Sequence, residues 1–455
     1  MRTRSLSRRV AVAFASIITT TGAARAQDPA PAMPDMPGMS MPGDEHAAHE
    51  HSMEHDHSAM GGLLGRYPAS REASGTAWQP EAAPHLGLHA THGPWEVMAH
   101  ARVYGLFTDQ RSDRGDDALV SINMAMASAQ RPLGAGRLGL KGMVSLEPAT
   151  VGTQGYPLLL QTGETANGRT PLVDRQHPHD FLMELAATYA VELSATDSVF
   201  VYAGLPGEPA LGPAAYMHRA SALDDPETPL AHHWLDSTHV TFGVVTAGWA
   251  GATWKAEVSA FRGREPDQHR WDVEEPRLDS GSLRLTWNPT VHWSAQVSWG
   301  RLHSPEQLEP GVDVDRTTAS ASYAAPLGDG LLATTLAWGR NDRDPGRASD
   351  AWLLEGAWRR SDTTFFARAE RLRNDELLAD LAAAGALSPA AIGADHAVTV
   401  GEVSAGFLRD LWQHGHVVLG AGASARVSFV PREALAAYGE RTPLSGLVML
   451  RAAVR

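Results

Sequence analysis

Thioether sulfur and imidazole nitrogen are crowded into one short tract of this chain. Met33, Met36, Met39 and Met41 are followed by His46, His49, His51, Met53, His55, His57 and Met60, eleven metal-capable side chains within twenty-eight residues. Asp35, Asp44, Glu45, Glu50, Glu54 and Asp56 lie among them. Thioethers are soft ligands that select Cu(I), while imidazole suits Cu(II), Zn and Ni. The mixture therefore points to a copper ion first, with zinc or nickel as alternatives. The plainer reading is a solvated linker, but such linkers favour Gly, Ser and Pro, and methionine is out of place in them.

A second set of chemistry-bearing residues lies further on. His177 and His179 stand with Asp174 and Asp180, Met217 with His218, and His232 and His233 with Asp236, while Glu265 and His269 follow. Loops folding inward over one mouth would gather these as nitrogen and oxygen ligands. Held apart, they would satisfy backbone groups and pair with Arg175, Arg219 and Arg264. His-x-His-Asp is also a fragment of metallohydrolase signatures, but the remaining ligands of such a set are not at readable spacing. No Gly-x-Ser-x-Gly elbow is present. The expectation is a protein without catalysis, with an outer-membrane hydrolase built on the His/Asp loops as the enzymatic alternative. The chain has no cysteine, which excludes disulfides and thiolate sites.

The elements that position these residues begin with an export signal. Arg2, Arg4, Arg8 and Arg9 precede the apolar run 10–18, and Ala24-Arg25-Ala26 fits small-x-small cleavage, so the mature chain is expected to start near Gln27. Removing residues 1–26 takes away five arginines and no acid, moving the formal net charge from −14 to −19. That balance excludes nucleic acid as a partner and favours the approach of cations. Residues 27–93, rich in Pro, Met, His, Gly and acids, lack any apolar period able to build a core and read as a disordered periplasmic arm.

From Trp95 the texture changes to period two. Trp95, Val97, Ala99, Ala101 and Val103 alternate with Glu96, Met98, His100 and Arg102, and Val291, Trp293, Ala295, Val297 and Trp299 alternate with His292, Ser294, Gln296 and Ser298. One apolar face at that period means strands. Segments of this kind start near 95, 118, 137, 181, 199, 238, 252, 283, 291, 317, 331, 352, 363, 398, 417 and 446. Links after even strands are short, such as Arg131-Pro132-Leu133-Gly134 and Ser361-Asp362, whereas 148–180, 207–237, 264–280, 302–315 and 372–396 follow odd strands. Alternating short turns and long loops predict an all-β fold, a transmembrane antiparallel up-and-down β-barrel of about sixteen strands over 94–455. Both termini then face the periplasm. Trp95, Trp254, Trp287, Trp293, Trp299, Trp338, Trp352 and Trp358 fall on the apolar parity, as interfacial girdles require. A soluble two-sheet sandwich would also bury one face per strand, but export and loop asymmetry favour the barrel. Outer-membrane lipid and the barrel assembly machinery are the partners this implies, although the chain ends in Arg455 rather than an aromatic residue. Met98, His100, Met143, His239 and His292 take the lumen parity and are candidates for passing a metal onward.

The tract 33–60 resembles the Met/His-rich N-terminal region of copper-resistance protein B, an outer-membrane barrel of copper detoxification. The barrel is similar to an uncharacterised outer-membrane group associated with heavy-metal resistance. That likeness rests on Asp174-Arg175-Gln176-His177-Pro178-His179-Asp180-Phe181, Gly204-Leu205-Pro206-Gly207-Glu208-Pro209-Ala210-Leu211-Gly212-Pro213, His232-His233-Trp234-Leu235-Asp236-Ser237-Thr238-His239 and Gly263-Arg264-Glu265-Pro266-Asp267-Gln268-His269-Arg270. The resemblance implies a location at the outer membrane and an association with metal. Metal ions are thus the expected cargo, with periplasmic metal chaperones or efflux components as further partners. The leading expectation is copper resistance by sequestration on the arm, and the alternative from the transport class is a general porin with an incidental arm.

Overall fold

The computed structural model describes residues 60–389, 392 and 396–455. The export signal and the arm ligands Met33, Met36, Met39, Met41, His46, His49, His51, Met53, His55 and His57 lie outside the described residues.

Sixteen strands form one closed antiparallel barrel: β1 Trp95–Asp109, β2 Asp117–Leu133, β3 Gly136–Val144, β4 Leu182–Glu192, β5 Ser198–Gly204, β6 Val244–Ala250, β7 Trp254–Phe261 and β8 Ser280–Thr290. The second half comprises β9 Trp293–Leu302, β10 Asp313–Leu327, β11 Gly330–Asp344, β12 Ala348–Arg360, β13 Thr363–Asn374, β14 Val398–His414, β15 Val417–Phe429 and β16 Leu444–Val454. Each strand pairs with its sequence neighbours, and β16 closes on β1 with Val454 opposite Ala101. A short strand, Leu88–His92, continues the line of β16 along the start of β1, with Leu88 opposite Ala99. Turns after even strands are tight. Gly134, Gly328 and Gly415 supply the positive φ that such hairpin turns need.

Side-chain alternation sets what faces lipid. Along β8, Leu283, Leu285 and Trp287 are 54, 58 and 57% exposed, while Arg284, Thr286 and Asn288 between them are 1, 4 and 2% exposed. Val201, Val258, Val297, Leu336, Leu354, Phe365, Val403 and Leu450 repeat the pattern around the wall. An apolar exterior around a polar interior is the inverse of a soluble sandwich and is the arrangement a membrane barrel requires.

The interior is filled from both ends. The link 205–243 between β5 and β6 folds into the lumen, where nearly all its residues are buried. Its charges meet the wall directly. Arg219 binds Glu355 (2.7 Å), Arg426 binds Glu227 (2.9 Å) and Arg451 binds Asp224 (2.7 Å). Glu370 accepts the amides of Leu230 and Ala231. At Gly339 of β11 the wall comes so close that an added Cβ would lie 2.2 Å from the Trp234 carbonyl.

Two corrections follow. The sixth strand starts at Val244, not near 238, because Ser237–His239 forms a helical turn within the inward loop. The arm was expected to stay disordered to residue 93, yet residues 60–87 thread the lumen from the short-turn end. Leu64, Tyr67 and Trp78 lack any period but pack on Ala190, Phe200 and Ala250 of the wall. Gln130 donates to the Gly61 carbonyl (2.9 Å), Arg137 to that of Gly62 (2.9 Å) and Asn288 to that of Gln79 (2.8 Å). Period-based reading misses such a segment because its partners are wall side chains, not its own turns. In mid-lumen it meets the inward loop, where the Ala215 amide donates to Ser74 Oγ (2.8 Å).

Candidate metal site in the lumen

Seven of the eight methionines among the described residues form one cluster inside the barrel. Met98 comes from β1, Met124 and Met126 from β2, Met143 from β3 and Met183 from β4; Met60 of the threading segment and Met217 of the inward loop pack against them. Strand parity explains the convergence. Even positions of β1 and β2 and odd positions of β3 face inward, and these strands are adjacent in the wall. Methionine also serves as an adaptable filler of irregular cores. Here, however, the cluster borders a cavity of about 120 Å³ lined by Met60, Met98, Met126, His85, His100 and His218 among others.

His100 and His218 face each other edge-on with ring centroids 5.9 Å apart. Among the described residues, His218 Nε2 has no hydrogen-bond partner. Burial, reinforced by nearby His100, holds the His218 imidazole well below its ordinary pKa. It is therefore neutral near pH 7, the protonation state in which imidazole ligates metal.

A group of histidines adjoins this cluster, since His239 immediately precedes Val240, which belongs to it. His179, His232 and His239 approach one another at centroid distances of 5.1–5.3 Å between successive rings. Each is oriented through Nδ1: His179 by Glu147 (2.9 Å), His232 by Asp236 (2.8 Å) and His239 by the Asp236 carbonyl (2.8 Å). Outer acceptors of this kind fix the tautomer and leave Nε2 available. Burial opposes the charge on Asp236, yet Arg219 and His232 beside it hold its carboxyl well below the usual range. Burial pushes the His239 imidazole down to about 3.

The structure thus gathers His177, His179, His232 and His233 from separate loops, with His177 and His233 centroids 6.2 Å apart. It also brings Met60, Met98 and His100 to one cavity wall, with Met143 in the cluster beside it. Two candidates do not join. His292 sits at the turn after β8, with its Nδ1 donating to the Ala324 carbonyl (2.8 Å), and the exposed His269 bonds its neighbour Asp267. Sequence reasoning missed Met124, Met126 and Met183, although the parity that marked Met98 marks the first two equally. Glu147, Glu164 and Glu306 were missed because their partners stand far from them in sequence: His179 for Glu147, Arg270 for Glu164 and His233 for Glu306.

No protein-family model and no curated protein sequence matches the chain. Solved structures do match in fold. The chain is similar to OmpF of Salmonella typhi, solved as a complex with daunomycin, at 8% identity and TM-score 0.50, over 80% of this chain and all of that one. It is also similar to an anion-selective porin from Comamonas acidovorans (10% identity, TM-score 0.47, 79% and 99% covered) and to the outer membrane channel DcaP of Acinetobacter baumannii (10%, 0.43, 81% and 99%). At such identities the likeness concerns architecture: a closed porin-type barrel.

Proposed function

We propose that this barrel resides in the outer membrane and binds soft metal ions in its lumen, copper(I) foremost, as part of copper resistance. The observation that carries the reading is the single cluster of seven thioethers beside His100 and His218, bordering a cavity. Soft ligands in a confined space select Cu(I) over the harder cations that dominate in solution. Met60 ties the two Met/His regions together: it ends the tract 33–60 and is also a member of the lumen cluster. In this reading the tract lies in the periplasm and collects metal through Met33, Met36, Met39, Met41, His46, His49, His51, Met53, His55 and His57. The lumen then takes it up, with periplasmic metal chaperones or efflux components as partners. Several weak ligand sets on one tether raise the local metal concentration without tight binding.

The second reading is a general porin, favoured by the barrel architecture and the mixed charges of the wall. The two separate in cells. Deleting residues 33–59 is expected to raise copper sensitivity without loss of folded barrel, and Met98→Leu with His100→Asn is expected to do so more mildly. Unchanged tolerance in both variants, with folded barrel present, would favour the general porin.

A further inference from the structure

We infer that His233, Glu265 and Glu306 form a second metal site of different chemistry, which takes a divalent first-row cation such as Mn²⁺ or Zn²⁺. These residues come from three separate links at the long-loop end: the inward loop 205–243, the link 262–279 and the link 303–312. One ligand atom from each lies within 4.8 Å of the others, a convergence that no other trio of His and carboxylate residues reaches among the described residues.

Acidic clusters form readily on surfaces, so convergence alone decides little. The decisive side chain is His233. It is only 7% exposed, and neither of its ring nitrogens has a hydrogen-bond partner among the described residues. Its Nδ1 stands 3.6 Å from Glu265 Oε2, and Glu265 Oε1 is likewise buried without a partner. Leaving such groups unmatched costs about 1–3 kcal/mol each, more when charged, so a native protein needs a reason to keep them. The fold holds the ring in place nonetheless. His233 lies in the helical turn His232–Leu235, its carbonyl accepts from Asn341 Nδ2 (3.1 Å), and Asp236 at the end of the turn is bound by Arg219 and His232. On the other side Gly163, at φ +102°, lies flat against the ring, where a Cβ would come 2.9 Å from His233 Cε1.

The charges around the site also call for a cation. Glu306 faces Glu265, Glu376 and Glu164, with Arg343 nearby, and buried Arg316 faces both Glu265 and Glu306, so Glu164, Glu265, Glu306 and Glu376 are set against two arginines. Arg343 is already engaged by Glu309, Asp375 and Glu376, and Arg270 by Glu164 and Asp180. Burial pushes the Glu306 carboxyl well above its ordinary range, with the neighbouring carboxylates adding to the effect. A cavity of about 50 Å³ lined by Glu164, Glu265, Glu306 and Glu376 leaves room for an ion and a water. Imidazole with two carboxylates suits Zn²⁺ and its neighbours, and carboxylate suits Mn²⁺; among the described residues no thioether lines this cavity to favour Cu(I). An ion there ties the inward loop to two outer loops, so it would latch the lumen plug. None of this depends on copper binding in the Met cluster.

The test titrates Mn(II) into the full chain in detergent and reads free Mn(II) by electron paramagnetic resonance. Mn(II) is chosen because thioether sites ignore it. A single bound equivalent that Zn(II) displaces is expected. His233→Ala and the isosteric pair Glu265→Gln/Glu306→Gln should each weaken it about tenfold or more, since even outer-shell changes cost that much. Unchanged heat-modifiable gel mobility verifies that each variant folds, and Glu265→Gln alone serves if the pair does not. Equal Mn(II) isotherms for the wild type and folded variants, whether they show one equivalent or none, would overturn the site.

Discussion

Replacing Arg219 by alanine is expected to loosen the inward loop and raise the conductance of the barrel in planar lipid bilayers. Arg219 is 3% exposed and binds Asp236 at 2.6 Å and Glu355 at 2.7 Å. Its loss removes one partner from each of two buried carboxylates. Glu355 retains Arg368 (3.3 Å) and Ser221 (2.8 Å), and Asp236 retains His232 (2.8 Å), so neither is abandoned. Breaking one partner out of a buried ion pair still costs about 3–5 kcal/mol. That shifts the loop equilibrium by roughly two to three and a half decades. Opposing it, Tyr216, Trp234 and Leu235 bury apolar side chains worth about 1.5–3 kcal/mol each. The loop should therefore remain inward most of the time and open in brief events. The expected record is a low, steady wild-type conductance and frequent larger steps in Arg219→Ala. Glu355→Gln should be milder, because Arg219 still holds Asp236. Identical traces would mean that packing, not these ion pairs, secures the loop.

The second large effect concerns copper affinity. A chain lacking residues 33–59 is expected to keep a Cu(I) site, because the lumen cluster includes Met60 and six further thioethers. Adding Met98→Leu, Met126→Leu, Met143→Leu and Met183→Leu should reduce that affinity about a hundredfold or more, equivalent to roughly 2.7 kcal/mol. Leucine and methionine have similar volumes, and such swaps in packed interiors usually cost less than about 1.5 kcal/mol each. The barrel should thus survive while its sulfur is removed. Competition with a chromophoric Cu(I) chelator measures the difference. If the arm-deleted chain never binds Cu(I), the lumen methionines are filler and the tract 33–59 acts alone.

The barrel was legible in the sequence because period-two alternation is a local property: each strand records its own inside and outside. Fifteen of the sixteen strand starts fall within a few residues of their expected positions, and the sixth slipped to Val244 because Ser237–His239 mimics an extended start while folding as a turn. What the lumen holds was far less legible. Residues 60–87 carry no period of their own, since wall groups such as Gln130, Arg137 and Asn288 satisfy their backbone. The site was half legible. Residue type marked His177, His179, His232 and His233, and parity marked Met98, His100 and Met143. Nothing local, however, says that Glu306 approaches His233 across more than seventy residues of chain, or that Glu147 orients His179. Those pairings exist only because the loops turn inward.

The most direct test of the lumen metal site is diffraction from crystals of the full chain loaded with Cu(I), recorded at the copper absorption edge. The account predicts an anomalous peak in the cavity bordered by Met60, Met98, Met126, His100 and His218. Ordered water in that cavity, with anomalous peaks elsewhere or none at all, would contradict it.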